Sequence, residues 1–101
     1  MNEDLRRDIE RFVEENEKNI FRDIARLVAV NSVGGEPEPG APFGPGPAAA
    51  LALGLRIARE LGLDTVDCEG KMGFAALGQG DDYLATITHL DVVPTGDGWT
   101  E

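Results

Sequence analysis

One cysteine and one histidine, in a chain of 101 residues, bound what this sequence can do chemically on its own. Cys68 has no second thiol to pair with, so no disulfide can close within the chain, and a reducing compartment is expected. No histidine lies near it in sequence, and it reads as a strand residue rather than a nucleophile. No apolar run approaches the length that crosses a bilayer. The opening MNEDLRRDIERF is charged from its third residue and lacks the apolar centre of a signal peptide, so the cytoplasm is the expected setting. Basic residues are scarce as well, nine against nineteen acids, for a net charge of −10. The acids concentrate in residues 1–18 and 59–101. Such a surface repels nucleic acid and anionic membrane and attracts cations, and its simplest reading is a solvated acidic exterior.

What is present suits one small folded domain. Apolar content of 42% and charged content of 28% are ordinary for a globular chain. A chain of this size buries roughly 65% of its unfolded surface, so a core forms with a thin stability margin. Leu5, Ile9, Phe12 and Val13, then Ile20, Ile24, Leu27 and Val28, recur at three- and four-residue steps. That period predicts an amphipathic helix over about 3–30, continuous or split near Asn16, which could cap a second piece. The stripe reads as a core-facing surface, with a coiled-coil partner role as the alternative.

Next comes VGGEPEPGAPFGPGP, residues 33–47, whose five glycines and five prolines exclude helix and central strand. No Gly-Lys-Ser/Thr follows and no strand precedes it, so it is not read as a phosphate-binding loop. PAAALALGLRIARELG (47–62) predicts a second helix, with Pro47 in its first turn and Gly62 as its stop. The period then changes. TVDCE (65–69) and GFAALG (73–78) read as a hairpin, and DYLATITHL (82–90) as a third, central strand. The expected fold is α/β, two helices packed on a small three-stranded sheet.

The lone histidine lies at the end of that third strand, in THLDVVPTGDGW (88–99). Alternation along a strand puts His89 and Asp91 on one face. A carboxylate accepting one ring N–H fixes the tautomer and makes the other nitrogen a better metal ligand. The bland alternative is a satisfied histidine with an aspartate beside it by chance. Favouring function, the pair sits where a strand gives way to a Pro/Gly loop, the end of a strand at which open α/β sheets bind ligands. Against it, a catalytic zinc needs about three protein ligands, and no carboxylates here are spaced to complete a set.

HLDVVPTGDGW (89–99) resembles the first metal-binding motif of the M20 family of zinc peptidases, His-x-Asp-Val-Val-Pro followed by Gly-Asp-x-Trp. SVGGEPEPGAPFGPGPAAALALGLRIARELG, ahead of it, is similar to the segment before the first catalytic-domain strands in the dipeptidase V-like branch. The resemblance covers nearly the whole chain. It implies that His89 ligates one of two zinc ions and that Asp91 clamps that imidazole, a role the family treats as catalytic. It implies further that small peptides are the substrate and that a glutamate serves as general base. Asp97, Gly98 and Trp99 would belong to the loop after the motif, with no chemical role assigned.

The family's bridging aspartate, glutamate pair, later metal ligands and second (lid and dimerisation) domain have no counterpart in these 101 residues. The resemblance therefore implies the N-terminal portion of a catalytic domain, silent in isolation. Its alternative is a stand-alone interaction module that kept the fold and lost the chemistry. Exposed strand edges would favour self-association under either reading. A different metal-dependent hydrolase is the weakest reading, because the His-x-His pattern common there is absent and position 87 is Ile.

Overall fold

The computed structural model describes residues 2–100. Helix α1 spans Glu3–Val28, and Asn2 opens it by accepting the Leu5 N–H at 2.7 Å. Glu3 and Asp4 in the first turn and Arg26 in the last complement the helix dipole. Asn16 does not divide the helix, as the sequence had allowed. Its Nδ2 donates to the Phe12 carbonyl one turn back, at 2.9 Å, inside a continuous α1. The larger difference concerns the apolar stripe. No α1 residue is buried, and Phe12 and Phe21 are 62% and 61% exposed. A helix of this length, about 39 Å, reaches past the small body it joins, so only its last turns meet the second helix.

The Gly/Pro segment is a folded connection. Glu38 and Ala41 exchange backbone hydrogen bonds of 2.9 and 2.8 Å around Pro39-Gly40, and Ala41 is buried. The Gly35 N–H donates to the Phe43 carbonyl at 2.9 Å, closing the loop on itself. Helix α2, Pro45–Glu60, begins two residues before its expected start, since Pro45 takes the first helical position. Gly46 is demanded by close approach. A Cβ there would stand 2.7 Å from the Val33 carbonyl oxygen and nearer still to that of Asn31. At the far end, Gly62 N–H donates to Arg59 and Leu63 N–H to Ala58, a Schellman closure with Gly62 at φ +88°.

Strands β1, Asp64–Cys68, and β2, Met72–Ala76, form the expected antiparallel hairpin, with Val66 opposite Phe74. The turn holds Glu69 and Gly70 at positive φ, and the Asp67 side chain accepts the Gly70 N–H at 2.8 Å. Two consecutive positive φ values suit the right-handed twist of a tight hairpin. The hairpin lies against α2, whose Ala50, Leu55, Ile57 and Ala58 are the buried residues of that helix. Gly73 lets the two approach closely, because a Cβ there would be 2.8 Å from Leu55 Cδ2.

The fold is thus α/β, two helices and a two-stranded sheet. The third strand expected over 82–90 is not formed. Residues 82–90 have no ladder partner, and Tyr83, Leu84 and Ile87 are 88%, 94% and 99% exposed. A strand exists only where a neighbour satisfies its N–H and C=O groups, and here β1 and β2 pair with each other alone. Among the described residues no helix is long and apolar enough to cross a membrane.

Candidate metal centre

The segment that carries His89 is held at two points. Leu90 is half-buried, and its Cδ1 lies against Gly54 of α2, 3.1 Å from where a Cβ would stand. Val92 donates its N–H to the Ser32 carbonyl at 3.2 Å and bridges Val33 in parallel. Ser32 is itself buried. The residues directly after α1 therefore fix the position of the segment that follows the histidine. Sequence reading gives Ser32 no anchoring role, because a backbone carbonyl used as an anchor leaves no mark in residue type.

Directly ahead of those anchors, His89 points its Nδ1 at Asp91, which lies between them. The nitrogen lies 3.0 Å from the Asp91 carbonyl oxygen and 3.4 Å from its Oδ1. The two residues predicted to lie together do so, although without a paired strand to carry them. A proton on Nδ1 is donated to the carbonyl oxygen, with the carboxylate alongside, and leaves the Nε2 lone pair free. The side chains are 82% and 66% exposed, so that lone pair faces solvent. This is the arrangement in which an imidazole is oriented to ligate through Nε2.

The rest of a metal centre is not assembled here. Among the described residues no three of His, Cys, Asp and Glu come together to hold an ion. Cys68 stands half-buried at the end of β1 with a free thiol. Trp99 donates its Nε1–H to the Thr95 carbonyl at 2.6 Å, which closes the loop containing Asp97 and Gly98 into a shallow, open depression.

No family model matches the chain. Similarity to individual proteins is clear. Over 85 residues, 82% of the chain, it is 39% identical to the protein named "Putative dipeptidase YtjP" of Bacillus subtilis. Over 89 residues, 86% of the chain, it is 39% identical to the proteins named "Putative dipeptidase SH1171" of Staphylococcus haemolyticus and "Putative dipeptidase SAUSA300_1697" of Staphylococcus aureus. This chain is a homologue of dipeptidase-named proteins. It spans about a fifth of their length, 18% of the first and 19% of the others.

Proposed function

We propose that the chain is the N-terminal part of an M20-like dinuclear-zinc dipeptidase, in which His89 ligates one zinc ion and Asp91 orients the imidazole. The observation that carries this reading is the 39% identity to dipeptidase-named proteins over 82% of the chain. The His89–Asp91 contact supports it at the level of chemistry. Small peptides are the proposed substrates, and the cytoplasm, where Cys68 stays reduced, the proposed setting.

The donor set fits one ligand position. His89 offers a solvent-facing Nε2 with its other nitrogen engaged, as a zinc-ligating histidine requires. Zinc, when bound, supplies Lewis acidity toward a peptide carbonyl and lowers the pKa of water to near neutrality. Asp91 accepts a hydrogen bond from Nδ1–H and so fixes the tautomer that leaves Nε2 to the metal. Leu90 and Val92 hold the backbone on either side of Asp91, so that the ring is presented from an anchored segment. The remaining ligands and the general base belong to the part of the relatives' length that this chain does not span. The isolated chain is accordingly inactive.

A chimaera tests the reading. The matched segment of the Bacillus subtilis relative is replaced by this chain, and zinc-dependent dipeptide hydrolysis is compared with that of the unaltered relative. The expected chimaera hydrolyses dipeptides and loses activity with a chelator or with His89→Ala. Asp91→Asn lowers activity roughly 10- to 100-fold. Full activity with His89→Ala would remove His89 from the metal site. A second reading, a non-catalytic self-association module, is favoured by one observation, the exposed apolar face of α1.

A further inference from the structure

Helix α2 contains two glycines, Gly46 and Gly54, whereas the longer α1 contains none. Glycine weakens a helix relative to alanine. Five alanines in α2 already meet its need for small side chains, so a position lacking even a methyl group asks for a separate reason. The neighbours of the two glycines supply it. A Cβ on Gly46 would stand 3.3 Å from Ser32 Cα, besides striking the carbonyl oxygens on either side. A Cβ on Gly54 would stand 3.1 Å from Leu90 Cδ1, tighter than ordinary van der Waals contact. Ser32 and Leu90 are the points at which the histidine segment is held. The Ser32 carbonyl accepts the Val92 N–H at 3.2 Å. Leu90 is the one residue of 74–100 that is not exposed. Each glycine of α2 thus lies under one anchor.

We propose that Gly46 and Gly54 are positioning residues: the notches they leave in α2 seat Ser32 and Leu90, and so fix the backbone at 90–92 that joins His89 to Asp91. The consequence for zinc rests on the reading of His89 as a ligand, whereas the seating of the backbone does not.

The Nδ1 of His89 meets the Asp91 carbonyl oxygen at 3.0 Å, across a single intervening residue, Leu90. That contact exists only for particular φ and ψ angles about Leu90, since a rotation of either swings the carbonyl away. Little else restrains them. The His89 and Asp91 side chains are 82% and 66% exposed, and residues 82–90 have no ladder partner. With Leu90 held by its side chain and Val92 by its N–H, the angles are fixed from both ends. Left free, the pair would open, and the neutral imidazole would divide its proton between two nitrogens. Seated, the ring keeps the proton on Nδ1 and presents the Nε2 lone pair. Helix α2 in this way sets a tautomer on a side chain that it does not touch through any hydrogen bond of its own.

Nitrogen-15 NMR of the neutral His89 ring in this chain, without metal, reads the share of each tautomer. The Nδ1–H form should dominate. Leu90→Ala should shift the ring toward a mixture and speed exchange of the Val92 amide at least about tenfold, while the amides bonded across β1 and β2 keep their protection. Leu90→Met, which refills the notch, should restore both readings. Gly54→Val, which fills the notch from the other side, should act as Leu90→Ala does. In the chimaera described above, Leu90→Ala should weaken zinc retention against a competing chelator about tenfold, and Leu90→Met should not. An unchanged tautomer and unchanged Val92 exchange in Leu90→Ala overturn the proposal. Loss of hairpin protection together with that of Val92 overturns it too, because Leu90 would then be holding the fold as a whole. A chimaera that retains zinc equally well after His89→Ala refutes the zinc reading alone, and the tautomer and the exchange still decide the seating.

Discussion

Arg26 reaches across from α1 and donates to both carboxylate oxygens of Glu60 at the end of α2, at 2.9 and 2.8 Å. Its Nη1 also donates to Asp23 at 3.1 Å. The guanidinium hydrogen bond holds the Glu60 carboxyl below its ordinary value, and hydrogen bonds from Arg22 and Arg26 do the same for Asp23. The Arg26 pKa is raised in turn, chiefly by Glu60. Carboxylates depressed in the folded state contribute stability above their unfolded pKa, near pH 4, and lose it as pH falls through the lower folded value. Acid denaturation should therefore include a limb below about pH 4 that Glu60→Gln makes smaller, Asp23 keeping its own share. These groups touch solvent, so 1 M salt should flatten the limb even in the unaltered chain. A limb unchanged by Glu60→Gln would place the acid sensitivity elsewhere.

Glycines 46 and 73 differ in what a methyl group would strike, and so should the cost of adding one. At Gly46 the obstacle is backbone, the carbonyl oxygens of Asn31 and Val33. At Gly73 it is the end of the Leu55 side chain, which can turn aside. Urea unfolding of Gly46→Ala should show a loss of about 3 kcal/mol, and of Gly73→Ala about 1 kcal/mol. The helix preference for alanine at position 46, at most about 1 kcal/mol, does not reverse the order. Equal losses would mean that the α1–α2 junction yields as easily as a leucine rotamer.

Residues 82–89 should behave as unpaired chain. Their amides should exchange with solvent without protection, while those of β1 and β2 that bond across the hairpin are retained longer. Ile87→Pro should change stability by less than about 0.5 kcal/mol, as at an ordinary surface position. A loss of several kcal/mol would mean that Ile87 sits in a paired strand after all.

Zinc titrated into the isolated chain should meet one ligand. The His89 ring resonances should move with a dissociation constant in the millimolar range or weaker, roughly 4 kcal/mol or less of binding free energy. His89→Ala should abolish the shift, and no dipeptide hydrolysis should accompany it. Micromolar affinity would show that further ligands are recruited, most simply from a second copy.

The two helices and the hairpin were legible because each is specified locally. The three- and four-residue period marks α1, Pro47 and Gly62 bracket the second helix to within two residues, and the change of period after Gly62 marks the strands. The His89–Asp91 contact was legible for the same reason, since residues two apart in chain cannot lie far from one another. The third strand was not, because a strand is a property of two segments, and DYLATITHL specifies one. Nor was the fate of the α1 stripe. A three-to-four-residue period says that a helix has a face to cover, and leaves open whether this chain, a second copy or other protein covers it.

The Ser32–Val92 hydrogen bond, with Gly46 packed beside it, ties residues far apart in sequence into one junction. Anyone dividing or extending this polypeptide inherits that tie. A reporter domain spliced at Gly40 would pull apart the connection on which the histidine's support depends. The same domain spliced at Gly80, between the hairpin and the exposed run, would lengthen a tether and leave both anchors of His89 in place.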